Sequence, residues 1–216
     1  LKGDLDMLCG KINQNMTVDC DNPLVAGVKD RMVVIAFEDW QKATITRDVS
    51  NPLLITNIAL AADTTGYVYE GINGSHEPED NSTQPEMGLP VYIHKVTFRV
   101  FSASAAAKQQ VEKLVRGRVV IITENNMKGA DGEQAFEVRG AEVGMKSTVT
   151  RARKDAATQG AFVLTTQTLE TEGEPHLPAT LFAETYSATK TIFDSLYETE
   201  PDDDGEGGDE GGGGGA

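Results

Sequence analysis

Val91-Tyr-Ile-His-Lys-Val-Thr-Phe-Arg-Val-Phe101 is the stretch that decides the fold class. A strict two-residue alternation puts Tyr92, His94, Val96, Phe98 and Val100 on one face of an extended chain, with Val91, Ile93, Lys95, Thr97, Arg99 and Phe101 on the other. The first face is nearly all apolar and is expected to look into a core. The run holds no Gly or Pro, and its β-branched and aromatic residues suit a pleated, half-buried strand.

Outward from this strand the pattern stays β-rich. On the N-terminal side, Arg31-Met-Val-Val-Ile-Ala-Phe37 is a short apolar run and reads as a buried strand. Ala43–Asp48 alternates beside it, and Leu53–Ala61 and Gly66–Glu70 are further strand candidates. On the C-terminal side, Ser102 or Ser104 can cap a helix whose apolar stripe is Ala107, Val111, Leu114 and Val115, and Gly117 supplies its stop. Arg118–Glu124 is a strand directly after the helix. Asn125–Gly132 is a turn, Ala135–Gly140 alternates, and Ala141–Met145 continues past a glycine break. Ala161–Glu170 and Ala179–Thr185 close the strand set, and Ser187–Tyr197 has the composition of a short helix. Eight or nine strands with one well-marked helix and no βαβ alternation predict a mainly β fold: an antiparallel β-sandwich or half-barrel with one flanking α-helix at about 102–116.

Three segments stand apart. Residues 1–21 read as an irregular N-terminal arm, before a single β-sandwich domain over 22–197. Residues 198–216 hold eight acids and no base, and Pro201–Ala216 is almost entirely Gly and acid, so a disordered acidic tail is expected. Gly71–Pro90 is a polar excursion with Gly71, Gly74, Gly88, Pro78, Pro85 and Pro90 among acids. Twenty such residues exceed what joining two strands requires, and loops of this length are usually functional or disordered.

The sequence holds few groups that point to reaction chemistry. The formal net charge is −15, which works against tight nucleic-acid binding. No apolar run approaches the ~18 residues of a membrane span, and residues 1–10 do not read as a signal peptide. Cys9 and Cys20 fit no zinc spacing and read as free thiols, with a local disulfide as the alternative. No nucleophile elbow, Walker loop or His-Glu-x-x-His is present. His94 reads as a structural histidine beside aromatics, and His76 and His176 as solvated loop residues. No catalytic residue, cofactor or metal ligand is predicted, and the chain is expected to be no enzyme.

The order of elements carries a resemblance. Gly27-Val-Lys-Asp-Arg31 through Phe37-Glu-Asp-Trp40, strand 91–101 followed by capped helix 102–116 and strand 118–124, Phe136-Glu-Val-Arg-Gly140 with Val143-Gly-Met145, Gly160-Ala-Phe-Val-Leu-Thr-Thr166 and Leu177-Pro-Ala-Thr-Leu-Phe182 together resemble the major tail tube proteins of long-tailed (siphovirus-like) bacteriophages of Bacteroides-type hosts. The resemblance covers roughly residues 24–185. It implies a structural virion protein, assembled in the host cytoplasm, that forms hexameric rings stacked into a tube. Its partners would be itself and other tail proteins, with DNA passing through without tight binding and no membrane involved. A negative lumen would keep passing phosphates from sticking. Within that reading the excursion, through Gly71, Ile72, Gly74, His76, Glu77, Pro78, Pro85, Met87 and Leu89, is the expected assembly loop. A head decoration, neck or adhesin module is the alternative, and an enzyme or unrelated cellular β protein the third reading.

Overall fold

A computed structural model describes residues 12, 14–18, 20–72, 74–84 and 88–197. Among these residues eleven strands form two sheets. The larger has seven strands in the order β2-β3-β11-β8-β7-β1-β4, where β1 is Val28–Ala36, β2 Thr44–Arg47, β3 Leu54–Ala59, β4 Tyr67–Glu70, β7 Val119–Asn125, β8 Phe136–Arg139 and β11 Ala179–Leu181. The smaller has four in the order β5-β6-β10-β9, where β5 is Glu77–Thr83, β6 Val91–Val100, β9 Lys146–Thr150 and β10 Phe162–Gln167. All pairings are antiparallel except β11 with β3. Among the described residues three α-helices, a single turn α1 (Phe37–Trp40), α2 (Ala105–Arg116) and α3 (Tyr186–Ser195), and a 3-10 turn at Glu170–Glu172 complete the set.

The central strands of the large sheet explain its continuous apolar runs, because both of its faces are covered. Val33 and Ile35 of β1 and Val120 and Ile122 of β7 pack with Phe136, Val138 and the α3-side residues Phe193, Leu196 and Tyr197. Their neighbours Met32, Val34, Val119 and Ile121 point the other way and pack against Val96 and Phe98 of β6, Leu164 of β10 and Val111 and Leu114 of α2. The layers are therefore α3, the seven-stranded sheet, and the four-stranded sheet with α2 beside β9. The mainly β sandwich with a flanking helix is what the alternation in 91–101 implies, and His94, Val96 and Phe98 are its buried face.

Several local expectations change. Helix α2 starts at Ala105, with Ser104 as the capping residue whose hydroxyl accepts from Ala107 N–H. Val111 and Leu114 are buried, but Val115 is exposed, so the stripe is narrower than the sequence suggests. The polar excursion 71–90 is not one loop, because its middle is strand β5, paired with β6 along all seven residues. The continuation past Gly140 is a turn that carries the chain from the large sheet to the small one, and the strand resumes only at Lys146. Gly140 has φ +78°, and a Cβ there would lie 2.8 Å from Met145 Cγ, so the turn requires glycine on both counts.

Residues 14–27, where described, hold neither helix nor strand until β1 begins at Val28. Cys20 is an exposed free thiol, while Cys9, most of the N-terminal arm and the whole acidic tail lie outside the described residues.

Candidate assembly site and the polar seam beneath it

The excursion is pinned to β1 at its start. Gly71 N–H donates to Asp30 O at 2.6 Å, and Gly74 N–H to Asp30 Oδ1 at 3.1 Å. Gly74 sits at φ +73°, a conformation that suits glycine. Ile72 N–H donates to Ser75 Oγ, closing a tight turn, and the Ile72 side chain is half-exposed at 49%. His76 is not solvated: it is buried, and its Nε2 faces Asp30 O at 2.9 Å and Tyr69 O at 3.2 Å. Two carbonyl partners require Nε2 to carry the proton. Burial pushes the His76 pKa down, so the ring is neutral, and its edge packs on Phe98. The acids around it in sequence hide this burial, which comes from the turn folding inward.

Glu77 and Pro78 then open β5. Glu77 is exposed and 3.9 Å from Arg99, and Pro78 is half-buried on an edge strand, where a missing N–H is tolerated. Leu89 is 48% exposed at the far end. Pro85 and Met87 lie outside the described residues. The seven of the nine predicted residues that are described therefore divide into a pinned turn (Gly71, Ile72, Gly74 and His76), the start of an edge strand (Glu77 and Pro78) and Leu89 just before β6. Beside the turn runs an open groove of about 800 Å3 lined by Val25, Lys29, Asp30, His76, Asn126 and Met127.

Beneath β5 the interior is polar. Arg139 of β8 is buried and forks onto Asp80 of β5, Nε to Oδ1 at 3.0 Å and Nη2 to Oδ2 at 2.8 Å. It also donates to Thr123 Oγ1 at 3.0 Å and Glu137 Oε2 at 2.6 Å. This bidentate pair clamps the edge strand of one sheet to the middle of the other. Next to it, His94 Nδ1 accepts from Gly140 N–H at 3.1 Å, so its proton sits on Nε2 and is donated to His176 O at 3.0 Å. Burial takes the His94 pKa down to about 4; Asp80 opposes the shift and Arg139 adds to it. Glu174 completes the seam. It is buried and accepts from Glu142 N–H and Val143 N–H, at 3.1 Å to each, and burial lifts its pKa to about 7. His94 and Glu174 thus hold the start and the middle of the turn that passes between the sheets.

Sequence reading missed Arg139, Asp80, Thr123 and Glu174. A signal existed for the first: β7 reads Val-Val-Ile-Ile, buried on both faces, so the Glu137/Arg139 face of its neighbour β8 must also meet a second layer.

These groups are neutral histidines, paired ions and a carboxylate turned to backbone amides, an arrangement that fixes chain segments. Among the described residues no three His, Cys, Asp or Glu cluster to hold a metal, and no helix is long and apolar enough to cross a membrane.

The molecule's surface has a different character at its N-terminal end. Ile12, Met16, Val18 and Leu24 are 84–97% exposed, and Val25 is 54% exposed. The end strands of the sheets are β2 and β4 in the larger and β5 and β9 in the smaller.

Comparison with protein-family models, curated proteins and solved structures finds no match.

Proposed function

We propose that the chain is a structural subunit that self-assembles, as hexameric rings stacked into a phage tail tube for DNA passage. One observation carries the self-assembly: the arm over residues 12–25 holds five large apolar side chains in water, although the domain beside it has two well-filled cores. Single exposed apolar residues are ordinary, but five within one short stretch of chain mark a contact surface. Covering each one in a neighbouring copy would contribute roughly 1.5–3 kcal/mol. The edge of β5 offers a second surface, seven residues of backbone paired on one side only. Exposed Ile72 and Leu89 flank it, which fits a contact between rings through the excursion. The tube reading itself rests on the element order and on the acidic balance, which suits a channel for a polyanion.

Negative-stain microscopy and sedimentation velocity across a concentration series test the proposal on the full chain. Rings or tubes are the expected result. The informative variant removes residues 1–24 and leaves the Asn126 contacts to Ala26 and Gly27 in place. It is expected to melt within a few degrees of the full chain and to stay monomeric. Normal assembly by this variant, or a full chain that stays monomeric at high concentration, overturns the reading. Excising the whole excursion is uninformative, because it also removes Asp80 and His76 from the interior.

A further inference from the structure

We infer that a pocket between the start of α2 and the connection from β9 to β10 is a binding site for a phosphate group. The chain carries a formal charge of −15, yet Lys108, Arg151 and Arg153 line one concave pocket of about 380 Å3. Ala103, Gln159 and Gly160 complete its wall, and among the described residues no acid lines it. None of the three cations pairs with a carboxylate among the described residues. The acids nearest in sequence are engaged elsewhere. Asp155 accepts from Ala157 N–H at 2.9 Å through Oδ1 and from Thr158 Oγ1 at 3.0 Å through Oδ2, and Glu112 pairs with Arg116 at 3.4 Å. A single unpaired surface cation is ordinary, but three that share one concavity on an acidic chain concentrate a local positive field.

One of the three is held in place before any ligand arrives. Arg151 is half-buried, its guanidinium lies 4.4 Å from the centre of the Phe162 ring, and its Nε donates to Gly160 O at 2.8 Å. Those two contacts fix the planar fork and leave Nη1 and Nη2 without a hydrogen bond among the described residues. Two consecutive left-handed residues set the position of that carbonyl, Gln159 at φ +52° and Gly160 at φ +70°. A residue with a Cβ seldom adopts this conformation, so Gln159 marks a bend that the surrounding chain imposes. The bend brings Gly160 against the backbone of Arg153, where a Cβ would lie 3.2 Å from Arg153 O. Three positive charges exceed what one carboxylate neutralises and suit a doubly charged phosphate, and an Arg fork matches two of its oxygens. No aromatic ring lines the pocket to stack a base, so the group recognised is the phosphate itself, free in solution or within a nucleic-acid backbone. The site does not depend on assembly into rings.

Equilibrium dialysis of the full chain tests it, against labelled pyrophosphate in one arm and a short labelled single-stranded DNA in the other. The salt is set at about 0.1 M, where a Debye length of roughly 10 Å screens distant acids but not groups in contact. Saturable binding of pyrophosphate is expected. Arg153→Gln and Lys108→Gln, both at exposed positions, should each weaken it roughly two- to fivefold. Arg153→Lys, which keeps the charge and loses the fork, should weaken it less. Lys29→Gln, the same loss of charge on β1 in a different groove, should leave it unchanged. Tighter binding of the DNA, with the same response to the variants, supports the site and assigns it to a nucleic-acid backbone; tighter binding of pyrophosphate supports it and assigns it to a small phosphorylated solute. Failure of both probes to bind saturably overturns the inference. So does a Lys29→Gln effect equal to that of Arg153→Gln, which would make the attraction diffuse. Equal binding of a short polyglutamate peptide would make the pocket a general contact for acids and also overturns it.

Discussion

The two faces of the seven-stranded sheet are built on different principles, although the same strands supply both. Toward α3, β8 gives Phe136 and Val138 to an interior that is mainly apolar, with Phe136 stacked on Tyr186 and tilted against Phe193. Toward the small sheet, β8 gives Glu137 and Arg139. There each strand changes character along its length: Phe98 and Val96 give way to His94 on β6, Leu164 to Thr166 on β10, and Ile121 to Thr123 on β7. Apolar packing tolerates small sliding of one layer over another, whereas a bidentate Arg–carboxylate pair and histidine bonds at both ring nitrogens fix a single register. The polar end lies beneath β5, one of the four end strands, so the lock holds a strand whose backbone is paired on one side only.

The largest expected effect is at the apolar end of the inter-sheet space. Leu114→Asp places an unpaired charge in a closed core and is expected to abolish soluble monomer, since the cost takes a large share of a stability of roughly 5–15 kcal/mol. Lys108→Asp on the exposed face of α2 should change stability by no more than about 0.5 kcal/mol. Chemical denaturation of both variants checks the contrast, and equal behaviour would mean that the helix phase is wrong.

At the polar end, Arg139→Met leaves Asp80 and Glu137 without their shared cation and should cost about 3–5 kcal/mol. Adding Asp80→Leu should recover much of this, because an apolar replacement of the whole pair removes the stranded charge. The measurement is the denaturation midpoint of the single and double variants. If the double variant is as unstable as the single, then Arg139 acts through Glu137 and Thr123 and not through the sheet-to-sheet clamp.

How far the sequence reveals this comparison follows from the same physics. The alternation of 91–101 shows β6 and its buried face because one face is apolar there. Ser104 and Gly117 show the helix ends because capping is local. Strand β5 escapes because Glu77-Pro-Glu-Asp-Asn-Ser-Thr83 has almost no β propensity; its pairing is held by β6 and by the Asp80–Arg139 clamp, a contact between residues 59 apart. Lys146–Thr150 escapes for a like reason, being short, polar and mostly exposed. His76 and Glu174 escape because a polar residue among polar neighbours gives no sign of burial until the turn that buries it is known. The acidic balance and the excursion are legible, but the division of its described part into turn and edge strand is a tertiary fact.

Proton linkage separates the groups of the seam. His94, whose pKa is held down near 4, contributes stability that is full above about pH 6.5 and is lost as pH falls toward 4. Glu174, lifted to about 7, works in the opposite sense: its contribution is full below about pH 4.5 and is lost as pH rises toward 7. Each shift corresponds to on the order of 3 kcal/mol, so in the intact protein the two slopes largely cancel between pH 4.5 and 6.5. Glu174→Gln should therefore expose a stability that rises with pH in that window, and His94→Gln one that falls. Denaturant titrations at three pH values read the slopes directly, and slopes of the same sign in both variants would show that other groups dominate.

The smallest effect gives the sharpest measure of the polar end. Ser147 and Thr166 are both buried and share one hydrogen bond at 2.7 Å between β9 and β10. Thr166→Val alone strands the Ser147 hydroxyl and should cost about 1–3 kcal/mol, and Ser147→Ala alone should cost a similar amount. The double variant removes both polar atoms, so its cost should be much less than the sum of the singles. Such a cycle would show that this pair sets register without adding net stability. Additive costs would instead mean that each hydroxyl has its own role in packing, and that the polar end is as closely fitted as the apolar core on the far side of the sheet.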